Sequence, residues 1–289
     1  MKRNVLFCLL SLTIALNFTA CSSDDDNPTV EVIDISLDET TLLLAIGDEY
    51  TLTATVLPDN ATDKTITWTS SNPAVASVVG GKINAVSAGT TTITAQVGDK
   101  IATCEVRVAK GVWINGVDWA TCNVNIPGTF AASPESFGMF YQWGRKIGWS
   151  ENDPLVNSNG GTTWDSNDDT GTSWTAANDP SPAGWRVPTI EEYQSLFDGT
   201  KVTLEWTIQN GVEGRKITDI ATGANIFLPA AGWRDYMGGS LTYRGSYGYY
   251  WSSTVYNASD AYRMNFSNPA QGTNSTRKSY GFSVRCVAK

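Results

Sequence analysis

Residues 89–108 read GTTTITAQVGDKIATCEVRV, and apolar and polar side chains alternate through both halves of this stretch. Such alternation predicts β-strands that bury one face and expose the other. Further short alternating segments between residues 33 and 108 are separated by Gly, Pro, Asn and Asp turn signals, so we expect an all-β sandwich of about 75 residues. The inward faces of this stretch should include Ile93, Ala95, Val97, Ala102, Cys104, Val106 and Val108. Interior cysteines behave as small hydrophobes, so we expect Cys104 to be a buried, unreactive thiol.

Three segments of the same region carry a family resemblance. They read WTSSNPAVASV at residues 68–78, GKINA at 81–85 and GTTTITA at 89–95. Together they resemble the bacterial immunoglobulin-like domain of group 2. The resemblance implies an Ig-like domain over residues 33–109 that acts as a spacer or stalk in a surface protein.

The composition changes after residue 110, where all but one of the 11 Trp and all but one of the 11 Tyr lie. Large aromatic side chains each bury about 150–250 Å², so they stabilise a domain that is rich in loops. Thr189 and Glu192 have the spacing of a capping box and predict the start of a helix that carries Ile190, Tyr193 and Phe197. Candidate strands are 113–117, 206–209, 215–217, 225–228, 249–253, 262–266 and 282–287, with turn signals at 210–211 and 222–223. This pattern predicts an irregular α+β domain.

Six ordered blocks in this second region carry another resemblance: WATCNV at 119–124, GMFYQWG at 138–144, PAGWRVPT at 182–189, FLPAAGWR at 227–234, GYYWSS at 248–253 and GFSVRCV at 281–287. They resemble the Fibrobacter succinogenes major paralogous domain across residues 112–289. That family implies a C-type lectin-like fold, which is shared with formylglycine-generating enzymes and brings the first and last strands together. The resemblance implies a Cys122 to Cys286 disulfide, and two buried free thiols are the alternative.

The amino terminus carries an export pattern. Lys2 and Arg3 precede an apolar run over residues 5–16, which predicts a secretory signal peptide at residues 1–20. Ala20 followed by Cys21 resembles the bacterial lipoprotein signal, which implies acyl chains on Cys21 as a membrane anchor. The acidic linker at 21–32 begins with SSDDD after that cysteine and resembles the surface-export signal of Bacteroidetes-type lipoproteins. We therefore expect a lipid anchor in the outer membrane and exposure at the cell surface, and an ordinary secreted protein is the alternative.

Composition excludes several classes of function. The chain has no histidine, so it lacks Ser-His-Asp and Cys-His triads and His-ligated zinc, and its net charge of −9 argues against a nucleic-acid partner. The reactive cysteine pair of formylglycine-generating enzymes has no counterpart, because neither Cys122 nor Cys286 has a second cysteine near it in sequence. We therefore expect no enzyme activity. Residues 165–171 read DSNDDTG, which is either a solvated polar loop or a calcium loop, and we expect no other cofactor.

The richest binding chemistry lies in the last 55 residues or so, where Tyr and polar side chains alternate with Gly and Ser. Flat aromatic faces pack on sugar rings or peptide side chains, and amide and guanidinium groups hydrogen-bond to hydroxyls and carbonyls. We expect Trp185, Trp251, Tyr262 and Phe282 to belong to the core instead. The candidate ligand-binding residues are Tyr236, Tyr243, Tyr247, Tyr256, Asn257, Asp260, Asn268, Gln271, Asn274 and Arg277. The alternative is that these tyrosines only cover the core.

These patterns predict a cell-surface lipoprotein whose lectin-like domain binds an extracellular glycan or protein, with the Ig-like domain as spacer. Three alternatives stay open. The first is a variable protein of a diversity-generating retroelement, because such proteins share the lectin-like fold and vary Asn, Tyr, Ser, Thr and Asp near the carboxyl terminus. The second is a pilus-like adhesin whose partner is another protein. The third is an enzyme of the formylglycine-generating type.

Overall fold

The structure is a computed structural model that describes residues 29–289. The predicted signal peptide at 1–20, the lipidation site Cys21 and most of the acidic linker at 21–32 lie outside the described residues. From Asp34 onward the chain forms a β-domain and then a second domain that begins at Val112.

The first domain is a sandwich of short strands. The strands are β1 Asp34–Leu37, β2 Thr41–Ala45, β3 Glu49–Thr51, β4 Ala54–Leu57, β5 Thr67–Ser70, β6 Ala76–Val79, β7 Lys82–Ala85, β8 Gly89–Val97 and β9 Lys100–Ala109. A four-stranded sheet has the order β2-β9-β8-β5, a three-stranded sheet has the order β3-β7-β6, and β1 pairs with β4. All of these pairs are antiparallel except β2 with β9, which is parallel.

The stretch 89–108 folds as the β8–β9 hairpin that its alternation predicts. Ile93 lies opposite Cys104, and both side chains are fully buried between the sheets. Burial of an isoleucine side chain such as Ile93 stabilises the folded state by about 1.5–3 kcal/mol, because apolar surface is removed from water. Burial also raises the pKa of the Cys104 thiol to about 11, so the thiol stays protonated and inert near neutral pH, as the sequence predicted.

The second domain is assembled from several small sheets. The elements are β10 Val112–Ile114, β11 Val117–Asn123, β12 Phe140–Tyr141, β13 Gly148–Trp149, β14 Trp185–Arg186, α1 Ile190–Ser195, β15 Val202–Gln209, β16 Val212–Asp219, β17 Asn225–Pro229, β18 Trp233–Arg234, β19 Leu241–Thr242, β20 Gly248–Val255, β21 Asp260–Phe266, β22 Gln271–Arg277 and β23 Arg285–Ala288. The sheet orders are β10-β11-β23-β14, β12-β13, β15-β16-β17, β18-β19 and β20-β21-β22. Strand β23 pairs with β11, so the last strand returns to the beginning of the domain.

This inventory corrects the predicted α+β class. Within residues 29–289 the structure is nearly all β, and its α-helix content is the six residues of α1. The helix starts as predicted: the Thr189 hydroxyl accepts from the Glu192 amide, and the Glu192 carboxylate accepts from the Thr189 amide. The expected strand at 113–117 is instead a hairpin, because Asn115 and the following glycine adopt positive φ and turn the chain.

Irregular segments of the second domain are held by buried arginines. Arg285 is fully buried and donates to Asn123 Oδ1 and to the carbonyls of Ala120, Thr121 and Phe227. Arg234 is also fully buried. It donates to Asp153 Oδ1 and to the carbonyls of Ser150, Asn152 and Gly239. The two guanidinium groups therefore connect segments that are far apart in the sequence through hydrogen bonds to backbone carbonyls.

The cysteines of the second domain do not pair in the structure, which corrects the expected Cys122 to Cys286 disulfide. Cys286 is fully buried with its Sγ 3.1 Å from Ser181 Oγ. Cys122 is partly exposed beside Thr121 Oγ1. The register between β11 and β23 shifts between Trp119 and Asn123, so the two cysteines are not cross-strand partners.

Candidate functional site

None of the ten predicted ligand-binding side chains is buried. They do not form one cluster, however, but three groups on the second domain. Tyr236, Tyr243, Tyr247 and Arg277 border a continuous run of aromatic rings. Tyr256, Asn257 and Asp260 form the turn between β20 and β21. Asn268 lies in the turn after β21, and Gln271 and Asn274 lie on β22.

We define the aromatic strip as Tyr236, Trp233, Tyr243, Tyr247, Tyr249, Tyr280 and Phe282. Its rings lie in the order Tyr243, Trp233, Tyr249, Phe282, Tyr280 and Tyr236, with successive centroids 4.7–5.6 Å apart. Tyr247 packs edge-on against both Tyr243 and Trp233. Phe282 is buried, whereas the other six residues remain partly or largely exposed. The strip therefore joins three predicted tyrosines through four aromatic residues that the prediction did not include.

Local sequence explains how the strip is built. Along β20 the side chains alternate, so Tyr250 enters the core while Tyr249 faces the strip. Gly232 has a φ of +72°, and a Cβ there would lie 2.2 Å from the carbonyl oxygen of Thr242. This close approach, which needs glycine, brings β18 against β19 and places the Trp233 ring on the Tyr243 ring.

An ion pair anchors the Tyr236 end of the strip. The Arg277 guanidinium lies 4.9 Å from the Tyr236 ring centroid and donates to Asp168 Oδ2 at 2.9 Å. The other Asp168 oxygen accepts from the Ser279 amide at 3.0 Å. Burial alone would raise the pKa of Asp168, but the Ser279 hydrogen bond and the Arg277 charge outweigh it and lower the pKa overall. The acidic loop at 165–171 is therefore tied to the strip by Asp168.

The remaining carboxylates of that loop are engaged separately. Asp165 pairs with Arg145 at 2.5 Å, and Asp169 accepts from the Gly171 amide at 2.6 Å. Within residues 29–289, no group of three or more Asp, Glu, Cys or His side chains is arranged to hold a metal ion.

The β20–β21 turn uses its polar side chains internally. Asn257 Oδ1 accepts from the amides of Ser259 and Asp260, and Asn257 Nδ2 donates to Asp260 Oδ2 at 2.9 Å. Tyr256 is exposed and packs edge-on against Tyr262 at 5.3 Å between centroids. Tyr262 lies on β21 and is partly exposed, so the expectation that it belongs to the core is wrong.

The third group lies along β22 and the turn before it. Asn268 lines a groove of about 290 Å³ together with Trp206, Glu213 and Tyr247. Gln271 is exposed at the start of β22, opposite Phe266. Asn274 lies opposite Arg263 in the β21–β22 register, so it belongs to the sheet face that carries Tyr249.

Sequence reasoning missed Arg263, which lies next to the strip. Its guanidinium is 4.5 Å from the Tyr249 ring centroid and 6.0 Å from that of Phe282. Once β20, β21 and β22 are aligned, period-two alternation places Arg263, Asn265 and Tyr249 on one face, and this signal could have found them. The register itself depends on turns that the sequence did not specify.

The Cys286 thiol is a poor nucleophile, because burial raises its pKa to about 12 and keeps it protonated near neutral pH. The strip instead offers neutral rings, amides and cations, which is the chemistry of recognition.

Comparison with known proteins characterises two parts of the chain. A family described as bacterial Ig-like domain (group 2) matches residues 31–106. Residues 31–106 form a bacterial Ig-like domain of group 2. A second family, described as a domain of unknown function (DUF8237), matches residues 212–287, which include all seven residues of the aromatic strip.

Relatives of known description match the chain over short lengths. An Ig-like virion protein of Serratia phage KSP90 is 40% identical over 84 residues, which cover 28% of this chain and 33% of that protein. An alpha-L-arabinofuranosidase of Bifidobacterium longum subsp. longum is 51% identical over 55 residues, or 19% of this chain and 5% of the enzyme. The chain thus spans a third or less of the length of these relatives.

Among solved structures, domains 5–6 of the S-layer protein SbsC align with 85% of this chain and 96% of that structure, at 14% identity and a TM-score of 0.25. Domains 4 and 5 of the same protein align with 27% of this chain and 51% of that structure, at 26% identity and a TM-score of 0.24. Scores of this size carry no argument about the present chain. Among the residues that the structure describes, no helix combines the length and hydropathy that a membrane span requires.

Proposed function

We propose that this chain is a cell-surface lipoprotein, anchored through Cys21, whose second domain binds an extracellular glycan or protein without altering it. In this proposal the second domain is a C-type lectin-like module and the Ig-like domain is its spacer. The match of residues 31–106 to a bacterial Ig-like family, together with the similarity to part of an Ig-like virion protein, supports an extracellular setting. The single observation that carries the binding role is the aromatic strip.

The strip has the properties of a recognition surface. Six of its rings are at least partly exposed, and Tyr243 exposes 59% of its surface although it stacks on Trp233. Rings that are already packed against one another lose little conformational freedom when a ligand binds, so their contact area contributes more of its free energy to affinity. Flat rings of this kind pack on the apolar faces of sugars or on peptide side chains.

The junction between the domains supports the spacer role. Asp118 accepts from the Lys110 amide at 2.6 Å and from the Gly111 amide at 2.7 Å, which fixes the short link between β9 and β10. Arg107 of the Ig-like domain lies 3.8 Å from the Trp113 ring centroid of the second domain. These contacts favour a fixed orientation of the second domain at the end of the spacer.

A matched pair of tyrosines tests the proposal. Tyr243 and Tyr256 are exposed to 59% and 56%, but only Tyr243 belongs to the strip. The wild-type chain is screened against a glycan array and against cell-envelope proteins, and the best ligand is then titrated into Tyr243→Ala and Tyr256→Ala. We expect about a tenfold or larger loss of affinity for Tyr243→Ala only, since stacked aromatic anchors are typical hot spots.

The outcomes separate the alternatives. Retention on an envelope protein without glycan binding would favour the pilus-like adhesin. Equal losses in the two variants would contradict a site on the strip, and turnover of a substrate by the protein alone would contradict a binding role. Thermal unfolding of both variants is the control, because truncation of two largely exposed rings should leave stability nearly unchanged.

A further inference from the structure

The sheet β20-β21-β22 carries a cation at its centre that the fold leaves without a counter-ion. Arg263 lies on the middle strand, between Trp251 on one side and Asn274 on the other. It belongs to none of the ion pairs found within residues 29–289. By contrast, Arg145, Arg186, Arg234 and Arg277 of the same domain each pair with a carboxylate.

The donors of Arg263 are incompletely used. Nη1 donates to Asn265 Oδ1 at 2.6 Å, whereas Nε is buried without a hydrogen-bond partner. A buried donor that is left unpaired is unfavourable, and more so when the group is charged. The guanidinium is partly removed from water beneath Tyr249 and near Phe282, and burial lowers its pKa from the usual value. Nη2 makes no hydrogen bond within residues 29–289 and is the donor left for a ligand, and a carboxylate is the partner that suits a planar guanidinium best.

The face of the sheet that carries Arg263 is open at a neighbouring position. Gly272 lies opposite Asn265 on β22, and a Cβ on Gly272 would meet nothing within 4 Å. Asn274 is exposed next to Arg263 and offers an amide to a hydroxyl group. Tyr249 contacts both Arg263 and Trp233, so the cation lies next to the strip.

We infer that the strip and Arg263 together form a site for a sugar that carries a carboxylate, such as a uronic or sialic acid at the end of a glycan. This inference rests on the proposed function and narrows its ligand class. The sugar ring packs on the aromatic rings, its carboxylate pairs with Arg263, and its hydroxyls bond to Asn265 and Asn274. The net charge of −9 repels densely charged polymers, so a single carboxylate fits better than a polyanionic chain.

The test varies the ligand and the protein separately. Glycans that end in glucuronic or sialic acid are paired with their carboxyl-reduced forms and titrated into the whole mature chain. We expect the acid form to bind at least about tenfold more tightly than its reduced partner. In Arg263→Gln this preference disappears while binding of the reduced form is retained. Lys146→Gln removes one exposed positive charge elsewhere and should keep the preference.

The outcomes also show which acid supplies the carboxylate, and they separate failure of this inference from failure of the proposed function. A preference among uronic acids only, or sialic acids only, supports the inference and names the source. Equal binding of acid and reduced forms to the wild type overturns the inference but leaves the proposed function standing. Binding of a peptide with a free carboxyl terminus, without any acidic sugar, overturns it in favour of a protein ligand. Failure of all glycans and all envelope proteins to bind overturns both.

Discussion

Replacement of Arg285 by leucine should destabilise the second domain strongly, although the residue is far from any exposed surface. Arg285 is fully buried and supplies hydrogen bonds to Asn123 Oδ1 and to the carbonyls of Ala120, Thr121 and Phe227. These groups belong to β11 and β17, so one side chain of β23 connects three strands of the domain. A leucine would leave four acceptors without this donor, of which three are buried and one, the Thr121 carbonyl, is partly buried.

The size of the effect follows from these contacts. Each buried acceptor that loses its partner costs about 1–3 kcal/mol, while removal of the desolvated guanidinium and burial of leucine return part of that. We therefore expect a loss of about 3–5 kcal/mol in the free energy of unfolding, or about 6–20 °C in Tm for a domain of this size. Arg285→Lys keeps the charge but not the planar fork, so it should lose an intermediate amount.

Urea unfolding followed by tryptophan fluorescence measures this change, because all but one of the 11 Trp residues belong to the second domain. The transition of the Ig-like domain serves as an internal reference and should not move. Arg145→Leu, which breaks a partly exposed ion pair with Asp165, should cost about 1 kcal/mol or less. A loss for Arg285→Leu no larger than that of Arg145→Leu would refute the assignment of Arg285 as a central hydrogen-bond donor.

Two further predictions concern the loop and the junction. The pKa of Asp168 is lower in the folded state than in the unfolded state. The ionised carboxylate therefore stabilises the fold above the ordinary aspartate pKa of about 4, and this stabilisation is lost as the pH falls through the lower folded-state pKa. The difference in unfolding free energy between wild type and Asp168→Asn should therefore vanish in acid, and a difference independent of pH would contradict the ion pair with Arg277. At the junction, Asp118→Ala removes the acceptor of the Lys110 and Gly111 amides, so hydrogen exchange at these two amides should accelerate by about tenfold or more. Unchanged exchange there would show that the link is held by other contacts.

Much of the first domain was predictable from residues that are close in sequence. The alternation through 89–108 predicted the β8–β9 hairpin and the inward position of Cys104, because side chains in a strand alternate between its two faces. The capping box at Thr189 and the turn at Asn210 were predictable for the same reason, since each depends on contacts within a few residues. In the second domain, Asn115 turned an expected strand into a hairpin.

The candidate site was only partly predictable. The exposed positions of Tyr236, Tyr243 and Tyr247 agree with the composition of the tail, which favoured polar and aromatic side chains between strands. Their grouping with Trp233 and Phe282 did not follow from composition, because these rings come from separate strands and loops.

The amino-acid sequence by itself determined the faces of the strands, the start of the helix and the aromatic richness of the tail, because these properties depend on short-range periodicity and residue type. Only the tertiary structure decided that Arg285 is buried among carbonyls while Arg263 has no carboxylate partner within residues 29–289. The two arginines are alike in sequence terms. Their different surroundings come from residues more than 50 positions away, such as Phe227 for Arg285, or on a neighbouring strand, such as Asn274 for Arg263. The packing of distant segments therefore determines which cation stabilises the fold and which one is available to a ligand.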